Sequence, residues 1–135
     1  MRGPEQILKE TRTIAVVGLS DNPDRTSYRV AKYLQGQGYH IVPVNPTIDE
    51  VLGEKSYPDL ASVPEPVDLV HVFRRSEEVM PVAEQAVAME AAALWMQDGI
   101  VNEEAAELAR INGLNVVMDD CVYRWHRRLK SEGKL

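Results

Sequence analysis

No part of this chain limits its fold as tightly as the stretch from Thr13 to Ser27, Thr-Ile-Ala-Val-Val-Gly-Leu-Ser-Asp-Asn-Pro-Asp-Arg-Thr-Ser. Thr13 to Val17 is a short, unbroken apolar run rich in β-branched residues, the pattern of a strand buried on both faces. Gly18 stops it and a polar loop follows. Ser27 predicts the N-cap of a helix, because Val30, Ala31 and Leu34 behind it fall at helical spacing. A strand, a glycine turn and a helix start make an anion cradle, since unpaired N–H groups and the positive end of the helix dipole face the loop. Arg25 adds a cation, and Ser20 and Ser27 add hydroxyls. The glycine alone would suit a plain connector. The second and third glycines of G-x-G-x-x-G are missing, so as a dinucleotide fingerprint the stretch is weak. The arginine and hydroxyls favour phosphate without naming the ligand.

The remainder alternates strand and helix. Pro4–Thr11 predicts a short helix, with Ile7 and Leu8 against the sheet, and residues 27–37 predict the first long one, stopped by Gly38. His40–Val44 is a second strand, in which Pro43 must face away from a ladder partner. Asn45-Pro46 turns out of it. Residues 47–52 are expected to form a helical turn, and 54–57 an edge strand. Val67–Phe73 and Ala92–Gln97 read as buried strands, with a helix over 80–90 between them. His71 inside the first of these strands reads as a core histidine. Asn102 predicts the cap of the next helix, Asn115–Met118 the last strand, and a terminal helix carries Tyr123, Trp125 and a basic cluster. This succession predicts one α/β domain over 1–135. It is a Rossmann-like, doubly wound parallel sheet of 5–6 strands in the order 3-2-1-4-5-6, with helices on both faces. Ligands of such sheets sit beyond the carboxyl ends of the strands, where the order reverses. Gly18-Leu19-Ser20, Val44-Asn45-Pro46, Phe73-Arg74, Met96-Gln97 and Gly99 all fall at those ends.

Composition removes several classes of function. A length of 135 residues, 44% apolar and 27% charged, fits one globular domain. No run approaches the ~20 apolar residues of a membrane span, and no signal-peptide core opens the chain, so we expect a cytoplasmic protein with no membrane partner. The net charge of −6 argues against a nucleic-acid binder. One cysteine, Cys121, and three scattered histidines offer no disulfide and no metal-ligand spacing. The second strand ends in Val44-Asn45-Pro46, without the carboxylate that holds the ribose of NAD. NADP remains an alternative, with Arg25 or Arg74 on its 2′-phosphate.

Together these pieces resemble the small bacterial and archaeal coenzyme A-binding proteins, whose domain is similar to the N-terminal domain of the succinyl-CoA synthetase α subunit. The match rests on Val17-Gly-Leu-Ser20 with Arg25-Thr-Ser27, Gly38-Tyr39, Pro43-Val-Asn-Pro46, Gly53-Glu-Lys, Asp68-Leu-Val, Phe73-Arg74-Arg75, Trp95-Met-Gln97 with Gly99, and Cys121. The resemblance implies that coenzyme A or an acyl-CoA lies across the strand ends. Gly18, Leu19, Ser20, Arg25 and Ser27 would take phosphates. Val44, Asn45 and Pro46 would line the adenosine, and Phe73, Arg74, Met96, Gln97 and Gly99 would face the diphosphate and pantetheine arm. Where members often carry a base after Asn-Pro, this chain has Thr47, and Asp98 sets a negative charge beside Gln97 that is expected to point outward. No catalytic constellation is found: Cys121 has no histidine near it in sequence and reads as a small buried residue. The implied function is non-catalytic binding, with the oligomeric state and any protein partner left open.

Overall fold

Thr13–Val17 forms β1 inside a five-stranded sheet, in a computed structural model that describes Met1 to Leu135. His40–Val44 is β2, Glu50–Val51 and Glu54–Lys55 are β3 and β4, Leu69–Val72 is β5, Ala93–Met96 is β6 and Asn115–Val117 is β7. The main sheet runs β2-β1-β5-β6-β7 with every pair parallel. Its order reverses between β1 and β5. Pro4–Glu10 is α1, Thr26–Gly36 is α2, Val79–Ala88 is α3, Glu103–Ile111 is α4 and Val122–Ser131 is α5.

Side chains alternate across each strand, so a strand buried on both sides feeds two cores. Ala15, Val17, Val70, Val72, Leu94 and Met96 pack under α3 and α4. Ile14, Val16, Leu69, Ala93 and Trp95 pack under α1, α2 and α5. The alanines Ala83, Ala86, Ala105, Ala106 and Ala109 let α3 and α4 approach closely. Asn102 caps α4 as predicted, its Oδ1 accepting the Ala105 N–H at 2.9 Å. Asn102→Ala should lower stability by about 1 kcal/mol, read as a lower urea midpoint at an unchanged slope.

Of the edge strand expected over 54–57, Glu54–Lys55 pairs with β3 rather than with the main sheet, and only Tyr57 reaches β2. Tyr57 donates its N–H to the Pro43 carbonyl at 3.0 Å and accepts the Asn45 N–H at 2.9 Å, a single parallel bridge to Val44. Pro43 therefore directs its donor-less nitrogen away from β1, as expected. The helical turn expected over 47–52 is corrected by the structure: β3 and β4 pair antiparallel through a Leu52-Gly53 turn with φ of 55° and 76°. Two positive φ values are the hairpin geometry normally announced by Asn-Gly. Here Leu52 tolerates it because its side chain packs on the core and its carbonyl accepts Gln35 Nε2 at 2.9 Å. Ser27 is also not the N-cap of α2. Arg25 occupies that position and Ser27 lies in the first turn.

Candidate functional site

The sheet's own ladder brings the candidate positions to one rim. The last carbonyl of each strand accepts an N–H from just beyond its neighbour. Val44 takes Gly18 at 2.9 Å, Val17 takes Phe73 at 2.8 Å, Val72 takes Gln97 at 3.2 Å and Met96 takes Asp120 at 3.3 Å. Val17, Val72 and Met96 face α3 and α4, so the next residues lean the other way, toward the starts of α2 and α5. Period two thus gathers Gly18, Phe73 and Gln97 on one side.

Gly18 has φ +89°, and a Cβ there would lie 2.8 Å from the Phe73 carbonyl oxygen. Only glycine lets β1 turn so close to the end of β5. The loop behind it is tied by its own side chains. Ser27 Oγ accepts the Ser20 N–H at 3.0 Å, Ser20 Oγ accepts the Asn22 N–H at 3.0 Å, and Asn22 Oδ1 accepts the Asp24 N–H at 2.9 Å. With both serine oxygens occupied as acceptors, their O–H groups remain as donors. Arg25 makes no side-chain cap to α2, and the first-turn N–H groups of Thr26, Ser27 and Tyr28 have no backbone acceptor. Gly18, Ser20, Asp24, Arg25, Thr26, Ser27 and Phe73 line a hollow of about 580 Å³. Arg25 is exposed and Arg74 half-buried, and neither guanidinium has an ion-pair partner in the chain.

The other positions separate. Leu19, Val44 and Met96 are buried, with Met96 in the core under α3 and α4. Asn45 holds the turn, donating to the Leu19 carbonyl at 3.0 Å and accepting from the Thr47 N–H at 2.9 Å and hydroxyl at 2.8 Å. Pro46 is exposed beyond β2. Gly99 donates its N–H to Asp119 Oδ1 at 2.7 Å.

A second cavity of about 780 Å³ runs between α2 and α5 and meets the hollow at Thr26. Arg29, Val30, Tyr33 and Gln37 line it from α2, and Gln97, Asp98, Cys121, Tyr123 and Arg124 from the strand ends and α5. Thr26, Val30, Tyr33 and Gln37 repeat at helical spacing, which is the signal by which the sequence could have disclosed this groove. Asp98 is exposed, and it forms a two-pronged pair with Arg124, Nη1 to Oδ2 at 2.5 Å and Nη2 to Oδ1 at 2.8 Å. Hydrogen bonding to that guanidinium holds the Asp98 carboxyl below its usual range. Beneath the groove lies His71, fully buried and expected only as core. Burial pushes its pKa down to about 4, against a smaller opposing effect of its bond to Gln97.

The CoA binding domain profile matches residues 12–127. The chain belongs to the CoA-binding domain family. It is 50% identical over 118 residues to the uncharacterized protein YneT of Bacillus subtilis, spanning 87% of each chain. A hypothetical protein of Pyrococcus horikoshii superposes with a TM-score of 0.91 at 37% identity, over 96% of this chain and 93% of that one. Residues of the α subunit of an ADP-forming acetate–CoA ligase of Pyrococcus furiosus are 42% identical over a stretch of 59, which is 43% of this chain and 13% of that subunit. The kinship foreseen from the strand-end motifs is therefore present in the wider ligase family as well as among small proteins.

Proposed function

We propose that this chain binds coenzyme A or an acyl-CoA along the rim, without itself catalysing a reaction on it. The observation that carries the reading is the junction at Thr26. Thr26 lines both a polar hollow, whose wall includes the unpaired Arg25, and a groove flanked by Val30, Tyr33 and Tyr123. Coenzyme A has the same two parts, a phosphate-rich end and a long uncharged arm. The free first-turn N–H groups of α2 and the Ser20 and Ser27 hydroxyls would take the diphosphate. Phe73 would cover it, and the exposed Pro46 would border the adenosine. The arm would run beside Gln97. Membership of the family and the likeness to part of an acetate–CoA ligase subunit support the ligand.

Arg25→Ala and Arg74→Ala should each weaken coenzyme A binding by roughly 1.5–3 kcal/mol. Neither should greatly change stability, because no protein group loses its charge partner. Calorimetry with coenzyme A, dephospho-CoA, NAD and NADP provides the test. Tighter binding of NADP than of coenzyme A, or unchanged binding in both variants, would reject the proposal.

A further inference from the structure

We propose that Cys121 is a thiol–disulfide exchange site, at which this chain captures coenzyme A disulfide as a mixed disulfide. The inference rests on the coenzyme A reading above and extends it to the reactive end of the ligand.

Cys121 lines the groove and is held by the backbone around it. Its N–H donates to Asp120 Oδ1 at 2.8 Å. Two indoles fix Asp120 in turn, Trp95 Nε1 donating to its carbonyl at 3.0 Å and Trp125 Nε1 to its Oδ2 at 2.7 Å. The cysteine is the N-cap of α5, and Arg124 one turn on lines the same groove, its guanidinium paired with Asp98 and Asp120. With 6% of its surface exposed, it is reached through the groove rather than from open solvent.

A second, independent feature marks the groove as a ligand site. Gln97 is only 4% exposed, yet it lines the groove. Its Oε1 accepts the His71 Nε2–H at 2.8 Å, which turns the amide NH2 the other way. That NH2 has no hydrogen-bond partner in the chain. The amide nitrogen is thus the polar end of an otherwise buried side chain that opens to the groove, free to donate to a ligand acceptor. The pantetheine arm carries amide carbonyls that suit it, and His71 acts as the positioning residue. From Thr26 to Gln37 the groove follows α2 for roughly 16 Å, at about 1.5 Å per residue. A ligand with phosphates at Thr26 and an extended arm would bring its sulfur into this passage.

The exchange needs no external oxidant. The Cys121 thiolate attacks one sulfur of coenzyme A disulfide, and a new S–S bond forms as the original one breaks. The departing coenzyme A thiolate takes up the proton that Cys121 gave up. A free thiol reverses the step.

The test incubates the reduced full chain with coenzyme A disulfide and follows its intact mass. We expect one adduct per chain, equal to coenzyme A less two hydrogens, removed by dithiothreitol and absent in Cys121→Ser. At equal concentration, coenzyme A disulfide should react about tenfold or more faster than hydroxyethyl disulfide, which lacks the arm and phosphates. Gln97→Leu should slow only the coenzyme A reaction, by up to about tenfold, the range of one hydrogen bond. Equal rates for the two disulfides would mean an accessible thiol without a site. Calorimetry with reduced coenzyme A separates the two claims. Binding without an adduct overturns the exchange site and leaves the coenzyme A reading standing. No binding overturns both.

Discussion

Gly18→Val should abolish coenzyme A binding and lower stability by roughly 2–5 kcal/mol. Two penalties combine: a left-handed backbone of φ +89° for a β-branched residue, and a Cβ set 2.8 Å from the Phe73 carbonyl oxygen. The sequence alone places the harm of such a change in the surface loop, with the sheet left folded. The structure adds a second victim, because the obstructed atom is backbone at the end of β5 and cannot swing aside. Urea unfolding followed by circular dichroism measures the first effect. Calorimetry at low temperature, on the folded fraction, measures the second. Parent affinity in a folded Gly18→Val would reduce the first loop to a connector.

Acid should unfold this protein earlier than its carboxylates alone require. Burial sets the folded pKa of His71 at about 4, against 6.5 for an exposed histidine. Above pH 6.5 the ring is neutral in both states and contributes nothing to the pH dependence. As the pH falls from 6.5 toward 4, the unfolded chain gains a proton that the folded chain refuses. Stability is lost throughout that window, by up to about 3 kcal/mol. His126, also pushed down by burial, acts in the same direction. Urea midpoints at pH 7 and pH 4.5 test the claim. His71→Leu should show a clearly smaller loss between the two, and identical losses would mean that His71 is not held neutral.

How much of this was legible in the sequence follows from which forces were local. β1, β2, β5 and β6 are short runs dominated by β-branched and other apolar residues, broken in β2 and β5 only by His40, Pro43 and His71, and Gly18, Asn102 and Pro43 each have one backbone requirement that residue type declares. The strand-end positions could be listed from the fold class, but their relative orientation could not. That Met96 turns into one core while Gln97 turns to the groove follows from strand phase, visible only once the boundaries of β6 are fixed. Cys121 reads as isolated because residues that line the same cavity, such as Gln97, Tyr33 and Arg29, come from other elements. The Leu52-Gly53 hairpin was hidden for a different reason. Leucine does not favour positive φ, and tertiary packing together with the Gln35 bond overrides that preference.

Pro43 bears on how this sheet ends. A free edge strand ordinarily presents donors and acceptors to which a strand of another molecule can attach. At the middle of β2's outer side there is no donor, and the one acceptor is already engaged by Tyr57. The following amide of Asn45 is engaged by the same residue, and the Asn45 carbonyl accepts the Ser56 hydroxyl at 3.0 Å. A foreign strand laid along this side would find a broken ladder with a hairpin across its end. The chain thereby guards itself against sheet-to-sheet aggregation on this flank.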